Sequence, residues 1–499
     1  MTFLKELLAL PDATHARLRR GAAYGALVLT SVLLVAQAWP LMDDGAQELR
    51  QVHLAMNDEE LILSRVWSMV DKGGVNHGVA VYPGLYPYTV AAARILIGPD
   101  APIAIHVETV RGLSCVEMLV GMWLSALLIS RLTKSLWAGV LFALFWSIHP
   151  ETVLWAARVH PDALLFLFNN AALLALALHT EERQPRWLVA ATVFAALSAA
   201  TKLVGVFTMA IIGLSIFWEH RRNLNALIRT TGLHAGLFLA VFAVCNPRLL
   251  THTRGTVMGW LEQSARNQTG PHSSVWSWLG LFWDVRSLGA AGVIVAVVGL
   301  AGMLRRDVRH RAGLILAFGL VFLTYLVVEV NLVTYRYAAP SAWALALAGL
   351  CAACTLFDGR WRRLRPVALA LCAGVYFAID FAPARRAIGD DVATFELNFT
   401  EAKREVAAKL LEIAGGRNLT VVTEANMYVP PVLAWDVVWD FDGYLAANRS
   451  ADLLVEGPLM RRLASAETRS RLRAGDFGFQ LAAILGDYVI YSRPRVRSP

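Results

Sequence analysis

The sequence predicts a polytopic α-helical membrane protein with a small α/β domain at its C-terminal end. Of its 499 residues, 57% are hydrophobic and only 17% are charged, and the mean hydropathy is +0.50. A soluble protein usually carries about 25% charged residues. Lipid-spanning segments must satisfy their backbone hydrogen bonds internally, so long apolar runs indicate helices. Sixteen tryptophans and twelve tyrosines fit the aromatic belts of membrane interfaces.

The apolar runs predict about eleven transmembrane spans. The first run follows a basic flank and is long enough to cross the bilayer, so we expect it to stay in place as a span rather than be cleaved. The predicted spans cover residues 21–40, 109–130, 135–150, 162–179, 187–202, 204–218, 229–246, 287–304, 312–330, 338–357 and 366–381.

Basic residues in alternate loops predict the orientation in a plasma (inner) membrane. They fall on the side of the N-terminus, which is therefore expected to be cytoplasmic. The net charge of +8 comes mostly from these loops, where basic residues can meet anionic lipid. No nucleic-acid partner is therefore expected. The loop residues are Arg131, Lys134, Arg183, Arg186, Arg221, Arg222, Arg305, Arg306, Arg309, Arg311, Arg360, Arg362, Arg363 and Arg365.

We expect two domains. A transmembrane module covers residues 1–381 and has long outer loops at 41–108 and 247–286. An extracytoplasmic α/β domain covers residues 382–499, because an odd number of spans places this segment outside. Within it, Thr400 predicts a helix start, Gly415-Gly416 a helix end, and residues 419–423 and 487–491 two strands.

The five cysteines lie in or beside apolar spans. Cys351 and Cys354 have the spacing of a redox or metal motif, but no second pair accompanies them. Buried thiols are the better interpretation. The sequence contains neither a Walker loop nor a Rossmann fingerprint, so it gives no support to a nucleotide site.

Asp58 and Glu59 form an acidic pair in the first outer loop. Acidic residues are costly near lipid, which favours a functional role. Such a carboxylate could act as a general base that takes the proton from an acceptor hydroxyl. The alternative is an ordinary helix start, because Asn57 can cap a helix and acids suit its first turn.

A second ionisable group gathers around Asp162, at the outer start of the fourth predicted span. His160 and Arg158 precede it, and His149 and Glu151 are close in sequence. Proline followed by aspartate is also an ordinary helix start, so a structural role stays open.

Cations on the outer side are candidates for holding a phosphate group. Lys202 ends the fifth span. Arg336 lies between Tyr335 and Tyr337 on the predicted outer side, whereas the loop arginines named above lie on the inner side. Snorkelling of the side chain to the interface is the alternative for Lys202. The candidate phosphate ligands are Arg158, Lys202, Arg248 and Arg336, and the candidate substrate-binding residues are Tyr82, Tyr86, His160, Tyr335 and Tyr337.

A metal site has little support, because no compact ligand motif such as HExxH occurs. His149, Glu151, His160 and Asp162 could still gather a divalent cation. We therefore predict no certain cofactor and leave a divalent cation open.

These motifs, in their order along the chain, resemble those of the GT-C superfamily of polytopic glycosyltransferases. The resemblance covers roughly residues 20–345 and is closest to the branch of protein O-mannosyltransferases and the lipid A aminoarabinose transferase. It is carried by Asn57-Asp58-Glu59, Tyr82-Pro83-Gly84-Leu85-Tyr86, Arg158-Val159-His160-Pro161-Asp162, Ala199-Ala200-Thr201-Lys202 and Tyr335-Arg336-Tyr337-Ala338-Ala339-Pro340.

The resemblance implies a polyprenyl-phosphate sugar donor and an active site between the outer loops and the bundle. Asp58 matches the acidic position proposed as the family's base, and Asp162 matches its second acidic position. We therefore expect an inverting transferase in which Glu59 and Asp162 shape the site. The segment 247–286 lacks a clear family signature, so the acceptor could be a lipid, a glycan or a protein of the cell envelope.

Two alternative functions are a transporter and a non-enzymatic scaffold. A transporter or flippase of lipid-linked sugars would show inverted repeats and broken helices near the bilayer midplane, and neither is evident in the sequence. A non-enzymatic envelope scaffold would bind partners through the C-terminal domain. It would leave the acidic pair and the outer arginine unexplained.

Overall fold

The fold is described here from a computed structural model, in which the chain divides into two compact units. The first unit comprises Met1–Met42, Arg65–Ala101 and Glu108–Asp391, and the second comprises Asp43–Ser64, Pro102–Val107 and Val392–Pro499. The structure describes residues 14–43, 45–55, 57–74, 79, 82–267, 274–302, 304–331, 333–356, 364–392, 399–424, 427–438, 441–447 and 451–494.

The second unit joins two short outer segments to the C-terminal part of the chain. Residues 43–64 and 102–107 each lie between parts of the first unit in sequence, yet they cluster with residues 392–499. The boundary expected at residues 381 and 382 stays a prediction.

Helices account for the described chain up to residue 392. In order they are α1 (Thr14–Asp43), α2 (Leu49–Ala55), α3 (Asn57–Asp71), α4 (Leu85–Ile97), α5 (Ile103–Thr133), α6 (Leu136–Ser147), α7 (Pro150–Ala156), α8 (Asp162–Glu182), α9 (Pro185–Thr201), α10 (Val206–His220), α11 (Leu224–Val244), α12 (Pro247–Thr251), α13 (Thr253–Asn267), α14 (Val275–Leu281), α15 (Gly289–Gly302), α16 (Arg306–Glu329), α17 (Tyr335–Leu356), α18 (Arg365–Ile379) and α19 (Phe381–Val392).

Among the described residues, seven helices are long and apolar enough to cross a membrane, and α18 with α19 forms an eighth candidate that is bent by 53°. The seven lie in α1, α5, α8, α10, α11, α16 and α17. The other three predicted spans occur as the shorter apolar helices α6, α9 and α15. Each predicted span thus contains an apolar helix, and the polytopic helical class is confirmed.

Small and polar residues let these helices pack closely, as expected in lipid. A Cβ atom on Gly299 of α15 would lie 2.3 Å from the Cα atom of Gly349 in α17, so the two backbones meet where neither residue has a side chain. Between α8, α9 and α10, Asn169 Oδ1 accepts hydrogen bonds from Ser198 and Thr208, both at 2.6 Å. These contacts fix the helices whose ends carry the candidate site.

The C-terminal part of the second unit contains a mixed five-stranded sheet in the order β2-β1-β3-β5-β4. Strand β1 pairs in parallel with β2 and β3, and β5 pairs antiparallel with β3 and β4. The strands are β1 (Thr420–Thr423), β2 (Ala434–Val437), β3 (Leu453–Glu456), β4 (Gln480–Leu485) and β5 (Tyr488–Ser492). Strands β1 and β5 match the two predicted strands.

Helices cover both faces of this sheet, because successive side chains of β1 point to opposite sides. Val421 joins one apolar core with the helix α20 (Glu401–Ala414), and Val422 joins a second core with α21 (Phe441–Ala446), α22 (Pro458–Leu463) and α23 (Ala466–Ala474). As predicted, Thr400 caps α20 and Gly415 ends it in the left-handed conformation with φ 54°. The expected small α/β fold is confirmed.

Candidate functional site

Asp162 is the centre of a buried ionic cluster in the first unit. It is the first residue of α8, and only 3% of its surface is exposed. Its Oδ1 atom accepts a hydrogen bond of 2.7 Å from Nζ of Lys202, and its Oδ2 atom lies 2.8 Å from Nδ1 of His160. A buried carboxylate needs such partners, because an isolated charge is expensive to desolvate. The fold therefore brings Asp162, Lys202 and His160 together.

Lys202 reaches Asp162 because α9 ends there. Its backbone is extended, with φ −152° and ψ 131°, and the chain then turns through Leu203–Gly205 into α10. Gly205 permits this turn, since a Cβ atom there would lie 2.4 Å from the Ser198 carbonyl carbon. The local sequence offered no acidic partner for Lys202, and the fold supplies one 40 residues away.

His160 connects the acidic residue to groups from two other segments. Its Nε2 atom lies 3.1 Å from the hydroxyl of Tyr82 and 3.4 Å from Nη1 of Arg336. A guanidinium can only donate hydrogen bonds, so Nε2 must be the acceptor. The other ring nitrogen, Nδ1, faces the carboxylate of Asp162 and accepts a hydrogen bond of 3.4 Å from its backbone N–H.

Two cations lie over the ring of Tyr337. The ammonium nitrogen of Lys202 is 5.7 Å from the ring centroid, and the guanidinium carbon of Arg336 is 5.4 Å from it. Both distances are within the range of cation–π attraction. Tyr337 thus brings two positive charges together beside Asp162, in an arrangement suited to an anionic ligand.

The segment that carries Tyr82 is held against the end of α11. The backbone N–H of Gly84 donates a hydrogen bond to Oδ1 of Asn246. A Cβ atom on Gly84 would lie 2.6 Å from the carbonyl oxygen of Cys245, so a glycine is needed for this approach. Arg248 lies nearby, and its Nε and Nη1 atoms are buried without a hydrogen-bond partner among the described residues.

Three of the predicted residues lie in other contacts. Arg158 is buried and donates to the carbonyl oxygen of Leu41 at 3.3 Å, which ties it to the end of α1. Tyr335 donates to Asp284 Oδ2 at 3.0 Å. Tyr86 is buried within α4, with 1% of its surface exposed. The first two contacts are structural links, and they do not depend on a ligand.

A second charged cluster was not predicted as a site. Arg286 forms a two-pronged ion pair with Asp391, with both N–O distances at 2.9 Å, and its Nη1 lies 3.8 Å from Glu151 Oε1. Burial raises the pKa of Glu151 to about 8, although the Arg286 guanidinium opposes this shift. Glu151 also lies within electrostatic range of Arg336 and Asp162, so the two clusters are coupled.

Asp58 and Glu59 belong to the second unit. They lie in the first turn of α3, where acids interact favourably with the helix dipole. Asp58 is half-buried, and Glu59 is fully buried. The helix start expected at Asn57 is present, the helix runs to Asp71, and Gly73 just beyond it has a positive φ of 63°.

Over the described residues, no three side chains from His, Cys, Asp and Glu are grouped so that they could hold a metal ion. The carboxylate of Asp162 is instead occupied by Lys202 and His160. Cys351 and Cys354 are buried, as the sequence suggested.

One segment of the sequence matches the model of a known family, and all of it except residues 105–107 belongs to the first unit. Residues 105–250 match the family of dolichyl-phosphate-mannose-protein mannosyltransferases. This segment runs from α5 to α12, so it includes Arg158, His160, Asp162, Lys202 and Arg248. No curated protein matches the sequence significantly.

The fold is similar to those of several solved structures. ArnT from Cupriavidus metallidurans bound to undecaprenyl phosphate is 14% identical, with a TM-score of 0.54 over 95% of this chain and 98% of that chain. Its apo state is 15% identical, with a TM-score of 0.53 over 95% of this chain and 100% of that chain. The Archaeoglobus fulgidus oligosaccharyltransferase in the apo form is 11% identical, with a TM-score of 0.53 over 87% of this chain and 69% of that chain. Together with the family match, these similarities confirm the predicted resemblance to the GT-C superfamily at the level of the fold.

Proposed function

We propose that this protein is a membrane glycosyltransferase that moves a sugar from a polyprenyl-phosphate carrier to an extracytoplasmic acceptor with inversion. The family matched by residues 105–250 and the GT-C fold support the general class. The acceptor is a glycan, lipid or protein of the cell envelope.

The observation that carries the proposal is the pairing of Lys202 and Arg336 over Tyr337. Two cations gathered around one ring create a positive region, and a phosphate group is the anion that both could bind. Asp162 holds Lys202 in place through its 2.7 Å hydrogen bond, and His160 links Asp162 to Arg336. ArnT, which shares the fold, is described as bound to undecaprenyl phosphate, and this supports a polyprenyl-phosphate donor.

The base that activates the acceptor hydroxyl is proposed to be Asp58. Phosphate is already a good leaving group, so the reaction needs a proton acceptor more than an acid. A half-buried carboxylate at the start of a helix suits that role chemically. Asp162 is occupied by Lys202, which suits a role in holding the cations, and Glu59 supports the position of the acidic turn.

The transporter alternative expects broken helices, and one bent pair occurs, α18 with α19. At this break, the carboxylate of Asp380 accepts hydrogen bonds from the backbone N–H groups of Ala290 and Ala291 at 3.1 and 2.9 Å. The carboxylate therefore caps the start of α15. This contact explains the break as a structural joint, and it favours the transferase.

The test is to incubate the purified protein in detergent with a panel of polyprenyl-phosphate sugars and envelope extract, and to follow the release of free polyprenyl phosphate. Wild type is expected to release the carrier with at least one donor. Asp58→Asn should bind that donor and lose turnover by about two to four orders of magnitude, the range for general base catalysis. Lys202→Met and Arg336→Met should weaken donor binding.

Arg305→Met serves as the matched control, because Arg305 is an exposed arginine paired with Asp307 outside this cluster. It should leave turnover and binding unchanged. If no donor releases its carrier while liposomes show counterflow of a lipid-linked sugar, the proposed transferase function is wrong and the protein is a transporter. If Asp58→Asn keeps full turnover, the assigned base is wrong.

A further inference from the structure

A largely apolar cavity lies inside the first unit, away from Asp162. Its enclosed space is only about 40 Å³, and the volume rises to about 540 Å³ when the part open to the outside is counted. Side chains from α6, α15, α17 and α18 line it, and most of them are hydrocarbon or aromatic. The lining residues are Phe142, Phe145, Trp146, His149, Ser287, Leu288, Ala291, Gly292, Val295, Ala346, Leu350, Cys372 and Tyr376.

Four of the lining side chains carry a buried polar atom that has no hydrogen-bond partner among the described residues. They are Trp146 at Nε1, His149 at Nδ1, Ser287 at Oγ and Tyr376 at its hydroxyl. Each of these residues is more than nine-tenths buried. More than about 90% of buried polar groups in proteins are hydrogen-bonded to protein or to ordered water, so four such atoms around one cavity call for a bound group with polar atoms.

The protonation of His149 narrows the chemistry of that ligand. Its Nε2 atom lies 2.5 Å from the backbone carbonyl oxygen of Ser287. A carbonyl can only accept, so Nε2 carries the proton and Nδ1 of the neutral ring is an acceptor. The ligand must therefore donate a hydrogen bond to His149. The indole N–H of Trp146 can only donate, so the ligand must also accept one.

A hydroxyl group is the smallest group that meets both requirements, because it donates one hydrogen bond and accepts two. The rest of the lining is hydrocarbon, and the ring of His149 is stacked on Trp146 at 4.7 Å. Hydrocarbon walls of this kind fit an alkyl or isoprenoid chain. The helices that form the cavity include apolar spans, so a ligand can enter from the lipid phase.

We propose that this cavity binds a membrane lipid that carries a hydroxyl group, with its hydroxyl in the enclosed space at Nδ1 of His149 and Nε1 of Trp146 and its chain in the open part along α15 and α18. Ser287 and Tyr376 complete the polar end. The site is separate from the residues assigned to the donor phosphate, and the proposal stands without the glycosyltransferase function.

The experiment uses the full-length protein in nanodiscs and two photoreactive probes of equal chain length, a long-chain alcohol and the matched alkane. Crosslinked peptides are quantified by mass spectrometry. In wild type, the alcohol should label peptides of α6, α15 and α18 about two- to tenfold more than the alkane, since one or two hydrogen bonds separate the probes. Tyr376→Phe, which removes only a hydroxyl, and His149→Phe should reduce that ratio.

A matched pair of substitutions on α18 tests whether the label lies inside the cavity. Cys372→Phe fills the cavity, whereas Leu371→Phe places the same ring at a neighbouring site that is 64% exposed. Cys372→Phe should abolish labelling by both probes, and Leu371→Phe should leave it unchanged. The thermal midpoint of each variant is measured to show that it is folded.

Three results would overturn the proposal. Equal labelling by alcohol and alkane would mean that the four polar atoms do not select a hydroxyl group and are hydrogen-bonded to water instead. An equal effect of Cys372→Phe and Leu371→Phe would place the probes on the outer surface. Absence of label from the cavity peptides would exclude a lipid ligand of this length.

Discussion

At the scale of the residue, the ion pair between Asp162 and Lys202 is the best-defined feature of the candidate site. Its carboxylate is 4% exposed and its ammonium group 16% exposed, so water screens their attraction only weakly. Breaking such a pair costs more than the pair contributes, because one charge is left buried without its partner.

The first prediction concerns this pair. Asp162→Asn and Lys202→Met should each destabilise the protein by about 3–5 kcal/mol, and the double variant should be destabilised by about 1–3 kcal/mol less than the sum. Denaturant titrations of the detergent-solubilised protein measure the four free energies of unfolding. The control is the exposed pair of Arg305 and Asp307, for which a coupling below about 1 kcal/mol is expected. A coupling no larger in the buried pair than in this control contradicts the prediction.

The second prediction concerns Glu151, whose pKa burial raises from an ordinary 4.5 to about 8. The folded protein then holds the proton more tightly than the unfolded chain, so stability should fall as the pH rises from about 5 to 8. The fall is at most about 1.4 kcal/mol per pH unit for one proton. Glu151→Gln removes this dependence, and its thermal midpoint should exceed that of wild type by more at pH 8 than at pH 6.

Glu412→Gln is the matched control, because the Glu412 side chain is 69% exposed. It should follow the pH profile of wild type. A Glu151→Gln profile parallel to that of wild type would show that Glu151 titrates near its ordinary pKa.

At the scale of the element, Arg50 joins α2 to the loop between β1 and β2 within the second unit. Its guanidinium donates to the carbonyl oxygens of Val429, Pro430 and Leu433 at 2.8, 2.7 and 2.7 Å, and it lies 5.5 Å from the ring centroid of Trp435. Three carbonyls on one guanidinium require its planar, branched set of donors. The contact fixes the segment just ahead of α3 to the sheet.

The third prediction is that Arg50→Met destabilises the second unit by about 2–4 kcal/mol, because three charge-assisted hydrogen bonds are lost together. Arg50→Lys should recover only part of this lost stability, since an ammonium group cannot reproduce the planar, branched set of donors of a guanidinium. Limited proteolysis between β1 and β2 reports the effect. Arg404→Met is the control, because Arg404 is exposed and stacks on Phe399 at 4.9 Å. Equal proteolysis of the Arg50 and Arg404 variants would refute the prediction.

At the same scale, helices were predicted better than strands. The helix of Asp58 and the helix capped by Thr400 have both their start and stop residues in the sequence, and both are present. Strands β2, β3 and β4 were not predicted, and neither were α4 and several other helices such as α13, α14 and α23. The unpredicted strands are only four to six residues long, so their local patterns are short, and their neighbours in the sheet come from distant parts of the chain.

At the scale of the whole molecule, the basic loops predict which side of the membrane each segment faces. The fourth prediction tests this with single cysteines at Val432 and Leu304, which are 66% and 85% exposed. In intact cells, a membrane-impermeant maleimide should label Val432→Cys and leave Leu304→Cys unlabelled until the cells are lysed. The parent protein with its five native cysteines gives the background. Labelling in the opposite order would reverse the assigned orientation.

The sequence by itself determined the fold class, because apolar length, basic loops and helix caps are local patterns that need no knowledge of distant contacts. It also predicts that Asp162, His160, Lys202 and Arg336 all lie on the outer side of the membrane. Only the tertiary structure decided which charged residues pair with which partners. Lys202 meets Asp162 across 40 residues, Arg286 meets Asp391 across 105, and Arg50 meets Val429 across 379. Partners so far apart leave no periodicity in the sequence, since their meeting depends on how whole helices and strands pack.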